Sequence, residues 1–203
     1  MAPVLRRSSR FWAALALAAV CSSGCGPSTA PVAVPLAEGL PSYTAEEAVV
    51  FDDSVDLTVF GRAPSIRPDE DPKLPERVKT ADAVVLVKIA TVTSDRGQAT
   101  SPTYQLAFRP IAPALSGETP TELVTVNVTP NSPAYQFVLL TDAGLIGRVV
   151  VLAFRRYKEA GGTVLHWHVA PDTKEVRAAI EQAKLASPPA PKPDGLRRNQ
   201  ESP

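Results

Sequence analysis

The stretch Arg148–Ala170, RVVVLAFRRYKEAGGTVLHWHVA, decides the fold. From Arg148 to Tyr157 it is apolar on both faces over much of its length, the composition of a strand with neighbours on each side. Gly161-Gly162 suits a tight reversal, because glycine takes positive φ without strain. Thr163 to Ala170 then reads as the returning strand of a hairpin. Side chains alternate along a strand, so His166 and His168 share one face while Leu165, Trp167 and Val169 share the other. Trp167 is expected in a core and the two histidines on a polar face.

Strand signals continue upstream. Ala83 to Val92, AVVLVKIATV, is again apolar on both faces and reads as a central strand or a long bent one. Tyr104, Leu106 and Phe108 alternate with polar neighbours, as do Val124, Val126 and Val128, which predicts two half-buried strands. Asp95-Arg96-Gly97 suits a turn between them and the long strand. Ala134 to Leu140, AYQFVLL, reads as a weaker strand, and Gly144 to Gly147 as a turn. Ile111 to Glu122 has no strand period and reads as a connection with at most one helical turn. A helix is expected after Pro171, with Asp172 as N-cap, Glu175 three residues on, and Val176, Ala179, Ile180 and Ala183 on one buried face. A similar box at Thr44 and Glu47 opens a segment that reads as two short helices broken near Asp52-Asp53.

These elements define a mainly β protein: a small antiparallel barrel with a C-terminal capping helix. The order of TADAVVLVKIATV, YQLAFRPIAPALSG and GRVVVLAFRRY resembles OB-like domains of secreted and lipid-anchored bacterial proteins, over about residues 78–170. The cysteine framework of the netrin-like members is missing, so their inhibitory and binding roles do not carry over. OB folds elsewhere bind nucleic acids or sugars through aromatic and basic residues on one face; no basic aromatic stripe occurs here.

The amino end supplies an address. Arg6, Arg7 and Arg10 precede the apolar run Phe11–Val20, of a length that suits a secretory signal peptide and is too short to span a bilayer. Ser22-Ser23-Gly24 is small, and Cys25 follows. That arrangement resembles the lipobox of bacterial lipoproteins, whose cysteine receives a diacylglycerol and becomes the mature amino terminus. Cys25 fits better than Cys21, which follows the β-branched Val20, although Ser22 stands where the pattern prefers an apolar residue. An ordinary signal peptide cut near Ala19 or Gly24, leaving a soluble periplasmic or secreted protein, is the alternative. Two or more acyl chains anchor a protein stably where one does not. The expected organisation is a signal peptide over 1–24 and a Pro-rich lipid-anchored tether over 25–42. A single β-rich domain then covers 43–186, with its helix at about 173–186, before a disordered Pro-rich tail over 187–203. Gly26 after Cys25, rather than aspartate, points by the same resemblance to the outer rather than the inner membrane.

Charge narrows the partners. The chain carries 21 basic and 21 acidic residues, and loss of residues 1–24 removes three arginines. The near balance that remains gives no broad reason to bind nucleic acid. No Gly-x-Ser-x-Gly or Gly-x-x-x-x-Gly-Lys-Ser/Thr motif occurs, and no thiol remains if Cys25 is acylated. Asp52, Asp53 and Asp56, like Asp69-Glu70-Asp71, lack the alternation and central glycine of a calcium loop and read as caps and solvated turns. The only histidines, His166 and His168, could share a zinc or copper ion given a third ligand; no carboxylate adjoins them in sequence, although Asp172 or a distant acid could approach. The expectation is therefore a lipid-anchored cell-envelope protein that binds or scaffolds an envelope protein, without catalysis or cofactor. The alternative is a periplasmic hydrolase or metal-handling protein centred on His166 and His168.

Overall fold

A computed structural model describes residues 39–63, 66–96 and 101–186. The expected signal peptide, Cys21, Cys25, most of the tether, Gly97 and the tail at 187–203 lie outside them. The described elements run α1 (Ala45–Val50), β1 (Ser54–Val55), a 3-10 turn at Leu57–Phe60, another at Pro68–Glu70, α2 (Leu74–Thr80) and β2 (Ala83–Asp95). They continue through β3 (Thr103–Pro110), β4 (Ser116–Gly117), β5 (Val124–Val128), α3 (Tyr135–Leu145), β6 (Val149–Glu159), β7 (Gly162–Pro171) and α4 (Lys174–Ala186).

The sheet runs β1-β7-β6-β2-β3-β5, with β4 beside the start of β2. The two doubly apolar segments are its central strands, as their composition requires. β2 pairs with β6 through Ala83–Lys88 and with β3 through Val87–Asp95, so it serves two partners along its length. A register shift between Ile89 and Thr91 lets it bend between them. Gly117 lies where a Cβ would stand 2.1 Å from the Asp82 carbonyl oxygen, at φ +76°, so only glycine lets β4 reach β2.

Four expectations are corrected. The sheet is mixed and does not close into an antiparallel barrel: β1 pairs with β7 in parallel, Ser54 opposite His168 and Val55 opposite Val169. β1 takes the edge of β7 at these two positions, and β5 forms no ladder with β7. Ala134–Leu140 is not a strand but the start of α3. It buries Ala134, Tyr135, Val138 and Leu145, a helical spacing, while Leu139 and Leu140 stay exposed. A short run that is apolar all round carries no period to tell helix from strand. The C-terminal helix is capped by Thr173, whose hydroxyl accepts from the Val176 N–H at 3.2 Å, and Asp172 instead binds Arg177. Finally, ordered contact begins before residue 43: the Pro41 carbonyl accepts from the Lys158 N–H at 2.8 Å, and Ser42 bridges Lys158.

Two apolar layers result. The concave face of the sheet gathers Val85, Val87, Leu106, Phe108, Val126, Leu152, Phe154 and Trp167, with α3 packed against them. The other face, over β2, β6 and β7, packs Val84, Leu86, Val151, Ala153 and Tyr157 against Phe51, Leu74 and Val78. Val176, Ile180 and Ala183 of α4 complete that layer, on the face the sequence periodicity assigns.

Candidate functional site

Both histidines point into the second layer, under the segment from Tyr43 to Ser54. They are not on a polar outer face: their side chains are only 11% and 12% exposed. Carboxylates distant in sequence do adjoin them: Asp52 and Asp53 come from a segment more than a hundred residues away that folds over β7, and Glu159 from the end of β6. His166 Nδ1 meets Asp53 Oδ2 at 2.9 Å, and its Nε2 meets Glu159 Oε1 at 2.9 Å. Tyr43 stacks on the imidazole, ring centroids 3.5 Å apart and nearly parallel. Asp53 also accepts the Trp167 backbone N–H through Oδ1 at 3.1 Å, and holds a left-handed backbone at φ +50°.

Burial alone would lower the pKa of His166, but the hydrogen bonds and charges of Asp53 and Glu159 outweigh it and raise it. With an acceptor on each ring nitrogen, the favoured form is the imidazolium, which donates at both positions. The Tyr43 face adds a cation–π contact. An imidazolium so held has no lone pair for a metal or a substrate proton.

His168 sits differently. Its Nδ1 lies 2.9 Å from Ser54 Oγ and 3.6 Å from Asp52 Oδ1, and Ser54 donates to Asp52 Oδ1 at 2.5 Å. The serine proton is therefore committed to Asp52, and Nδ1–H of His168 donates to the serine oxygen. That is the reverse of an activated nucleophile, which needs a basic nitrogen facing the hydroxyl. Burial lowers the pKa of His168, with Arg77 assisting and Asp52 opposing. Burial would raise Asp52, but the His168 and Ser54 hydrogen bonds hold it down at about 2.

The network spreads outward. Buried Arg77 donates to the Val50 carbonyl at 2.7 Å and pairs with Asp71, while Lys73 approaches Asp52 at 3.6 Å. Tyr157 donates to Glu47 Oε2 at 2.7 Å, and Arg155 pairs with the same carboxylate at 3.0 Å. Burial, then Asp53 and Asp52, push the Tyr43 hydroxyl up to about 12; it donates to the Phe51 carbonyl at 2.7 Å. Of the two acidic clusters, Asp56 caps a 3-10 turn as expected, whereas Asp52 and Asp53 face the histidines. Tyr43, Asp52, Asp53, Glu159 and Arg77 carried no sequence signal that tied them to His166 or His168. Among the described residues, no group of three or more His, Cys, Asp or Glu side chains is placed to hold a metal ion.

A second feature lies where the sheet stays open. A groove of about 580 Å³ separates the 118–125 segment from β6 and β7, with Phe154, Leu165 and Val124 as its apolar lining. Arg156 there pairs with Asp82 at 2.7 Å. Among the described residues no histidine, serine or cysteine lines it. No helix among the described residues is long and apolar enough to cross a membrane. Comparison with protein-family models, with curated proteins and with solved structures finds no match.

Proposed function

We propose that this chain is a lipid-anchored cell-envelope protein, tethered through Cys25, whose β-rich domain binds or scaffolds another envelope component without catalysis. The observation that carries the reading is the amino-terminal sequence: a basic segment, a short apolar run, small residues and Cys25, followed by a Pro-rich spacer. The Pro-rich composition from Cys25 onward suits a spacer between lipid and protein, and Pro41 is joined to the domain, its carbonyl accepting from the Lys158 N–H. The buried histidine network supports the non-catalytic part, because its protons are committed to internal partners.

The finer fold assignment belongs with this reading. The path β7-β6-β2-β3-β5, with α3 inserted between β5 and β6, follows the strand order of an OB barrel whose last seam has not closed. Gly26 favours the outer over the inner membrane. Intact mass of the mature protein tests the anchor: the expected amino terminus is Cys25 carrying acyl chains. A Cys25→Ser chain should fail to mature and should leave the membrane fraction. An unmodified amino terminus elsewhere, or a Cys25→Ser chain that fractionates like the parent, overturns the reading.

A further inference from the structure

The end of the sheet capped by α3 differs from the rest of the surface. α3 carries Gln136, Thr141 and Asp142 among its apolar residues and buries only part of itself, leaving Leu139 and Leu140 exposed, Leu140 by 68%. Ile146 and Val149 continue the exposed apolar surface into β6. Cations surround it. Arg148 is bound through backbone carbonyls of Gly144 and Val59, and Arg62 lies over the Phe137 ring at 5.7 Å. Lys88 passes beside Gly147, 3.9 Å from where a Cβ would stand, and is directly opposite both Val149 and Arg109 in the sheet.

Among the described residues none of these four cations has a carboxylate partner. Several arginines elsewhere do pair with an acid, among them Arg77, Arg155, Arg156 and Arg177. Lys88 and Arg109 even face each other, an arrangement that costs stability unless an anion comes to them. Exposed aliphatic side chains beside cations that have no carboxylate partner among the described residues match an interface of acyl chains and acidic headgroups.

We infer that the α3 end of the domain, built on Leu140, Ile146, Lys88, Arg109 and Arg148, docks on an acidic lipid bilayer. The nearness of a bilayer rests on the anchored reading; the surface itself does not. The anchor permits the contact. Ser42 joins the sheet at Lys158, toward the far end of β6 from Val149, a span of ~30 Å at strand rise. The stretch from Cys25 to Pro41 reaches ~50 Å when extended.

The test uses the chain from residue 25 with Cys25→Ser, which no acyl chain can anchor. It is sedimented with vesicles of phosphatidylcholine alone or mixed with phosphatidylglycerol. The expected result is binding to the acidic vesicles that weakens with salt, and little to the neutral ones. Lys88→Glu with Arg109→Glu should lower that binding at least tenfold, and so should Leu140→Asp with Ile146→Asp. Lys174→Glu, on α4 away from the patch, should bind as the parent does. Circular dichroism should show every variant folded, since all these positions are exposed. Equal binding to both vesicle types, or equal losses for Lys174→Glu and the Lys88/Arg109 pair, overturns the inference. So does a dimer in solution that Leu140→Asp converts to monomer, which would assign the surface to a second copy. An unacylated mature protein whose domain still binds acidic vesicles would sink the anchor and leave the docking surface standing.

Discussion

The two faces of the sheet are built by different means. On the concave face, strands β3, β5 and β7 contribute apolar residues at every second position, and each contact follows from local alternation. On the other face, beneath the Tyr43–Ser54 segment, His166 and His168 meet Asp53, Asp52, Ser54 and Glu159, most of them over a hundred residues away. Apolar contact is non-directional and scales with area, so the first face tolerates small displacements. A buried hydrogen-bonded charge cluster does not, because each unmatched group keeps its desolvation cost. The first face should therefore hold most of the folding free energy. The second should set how stability responds to pH and how firmly the amino-terminal segment is held.

The largest effect should come from Trp167→Ala. Trp167 is fully buried in the concave core, so the truncation should cost ~3–5 kcal/mol in urea unfolding. Among the described residues its Nε1–H has no partner. Trp167→Phe removes that group along with some volume, and should cost less than half as much as the alanine. A phenylalanine variant as unstable as the alanine variant would break the assignment of this face to area rather than to polar matching.

Next in size is Asp53, which ties the amino-terminal segment to β7 from the opposite face. Asp53→Ala loses both the His166 pair and the acceptor for Trp167 N–H, and should cost about 2 kcal/mol. Asp53→Asn keeps an acceptor for that N–H and suits a left-handed backbone, so it should cost about half as much. Proteolysis should then cut the 41–54 segment faster in the alanine variant than in the asparagine variant.

The histidines should give the two limbs of a pH profile. His166 has a raised folded pKa, so the folded state binds more protons between the ordinary histidine value and that raised one. Its contribution is full below about pH 6.5 and falls as pH rises through the folded value. His168 has a lowered folded pKa, so the unfolded state binds more protons below about pH 6.5, and stability falls there as pH drops. Unfolding free energy should peak near the ordinary histidine pKa. His166→Gln should flatten the alkaline limb and His168→Gln the limb below it. A further loss as Asp71, held low, takes up a proton should persist in either variant. The loss from Asp52, held low by His168 and Ser54, should persist in full in His166→Gln and only in part in His168→Gln. A parent profile without an alkaline limb would mean that Asp53 and Glu159 do not hold a proton on His166.

The same contrast explains what could be read in the sequence. Central strands β2 and β6, half-buried β3 and β5, the Gly161-Gly162 hairpin and the buried face of α4 all follow from periods of two or 3.6. α3 was hidden because Ala134–Leu140 is apolar at almost every position. The parallel pairing was hidden because β1 is two residues long, and no composition marks Ser54-Val55 as a strand that pairs with His168 and Val169. In the histidine layer, the pairing of Asp53 with His166 depends on where a loop lands after folding. Spacing along the chain holds no record of that.

The smallest effect concerns a difference of one residue. Asp172 with Glu175 satisfies the capping-box spacing as well as Thr173 does alone, and both residues can accept from an N–H two or three positions on. The choice is made by β7, which continues as far as Pro171 and leaves Thr173 as the residue whose carbonyl accepts the first helical bond, from Arg177 N–H at 3.1 Å. Asp172 then turns to Arg177 in an exposed pair, of a kind worth little. Thr173→Ala should cost ~1 kcal/mol, and Asp172→Ala should stay within about 0.5 kcal/mol. Thermal unfolding of the two variants decides between them. The reverse order would restore Asp172 as the cap and shift the start of α4 by one residue, which would also turn Val176 and Ile180 relative to the sheet they pack against.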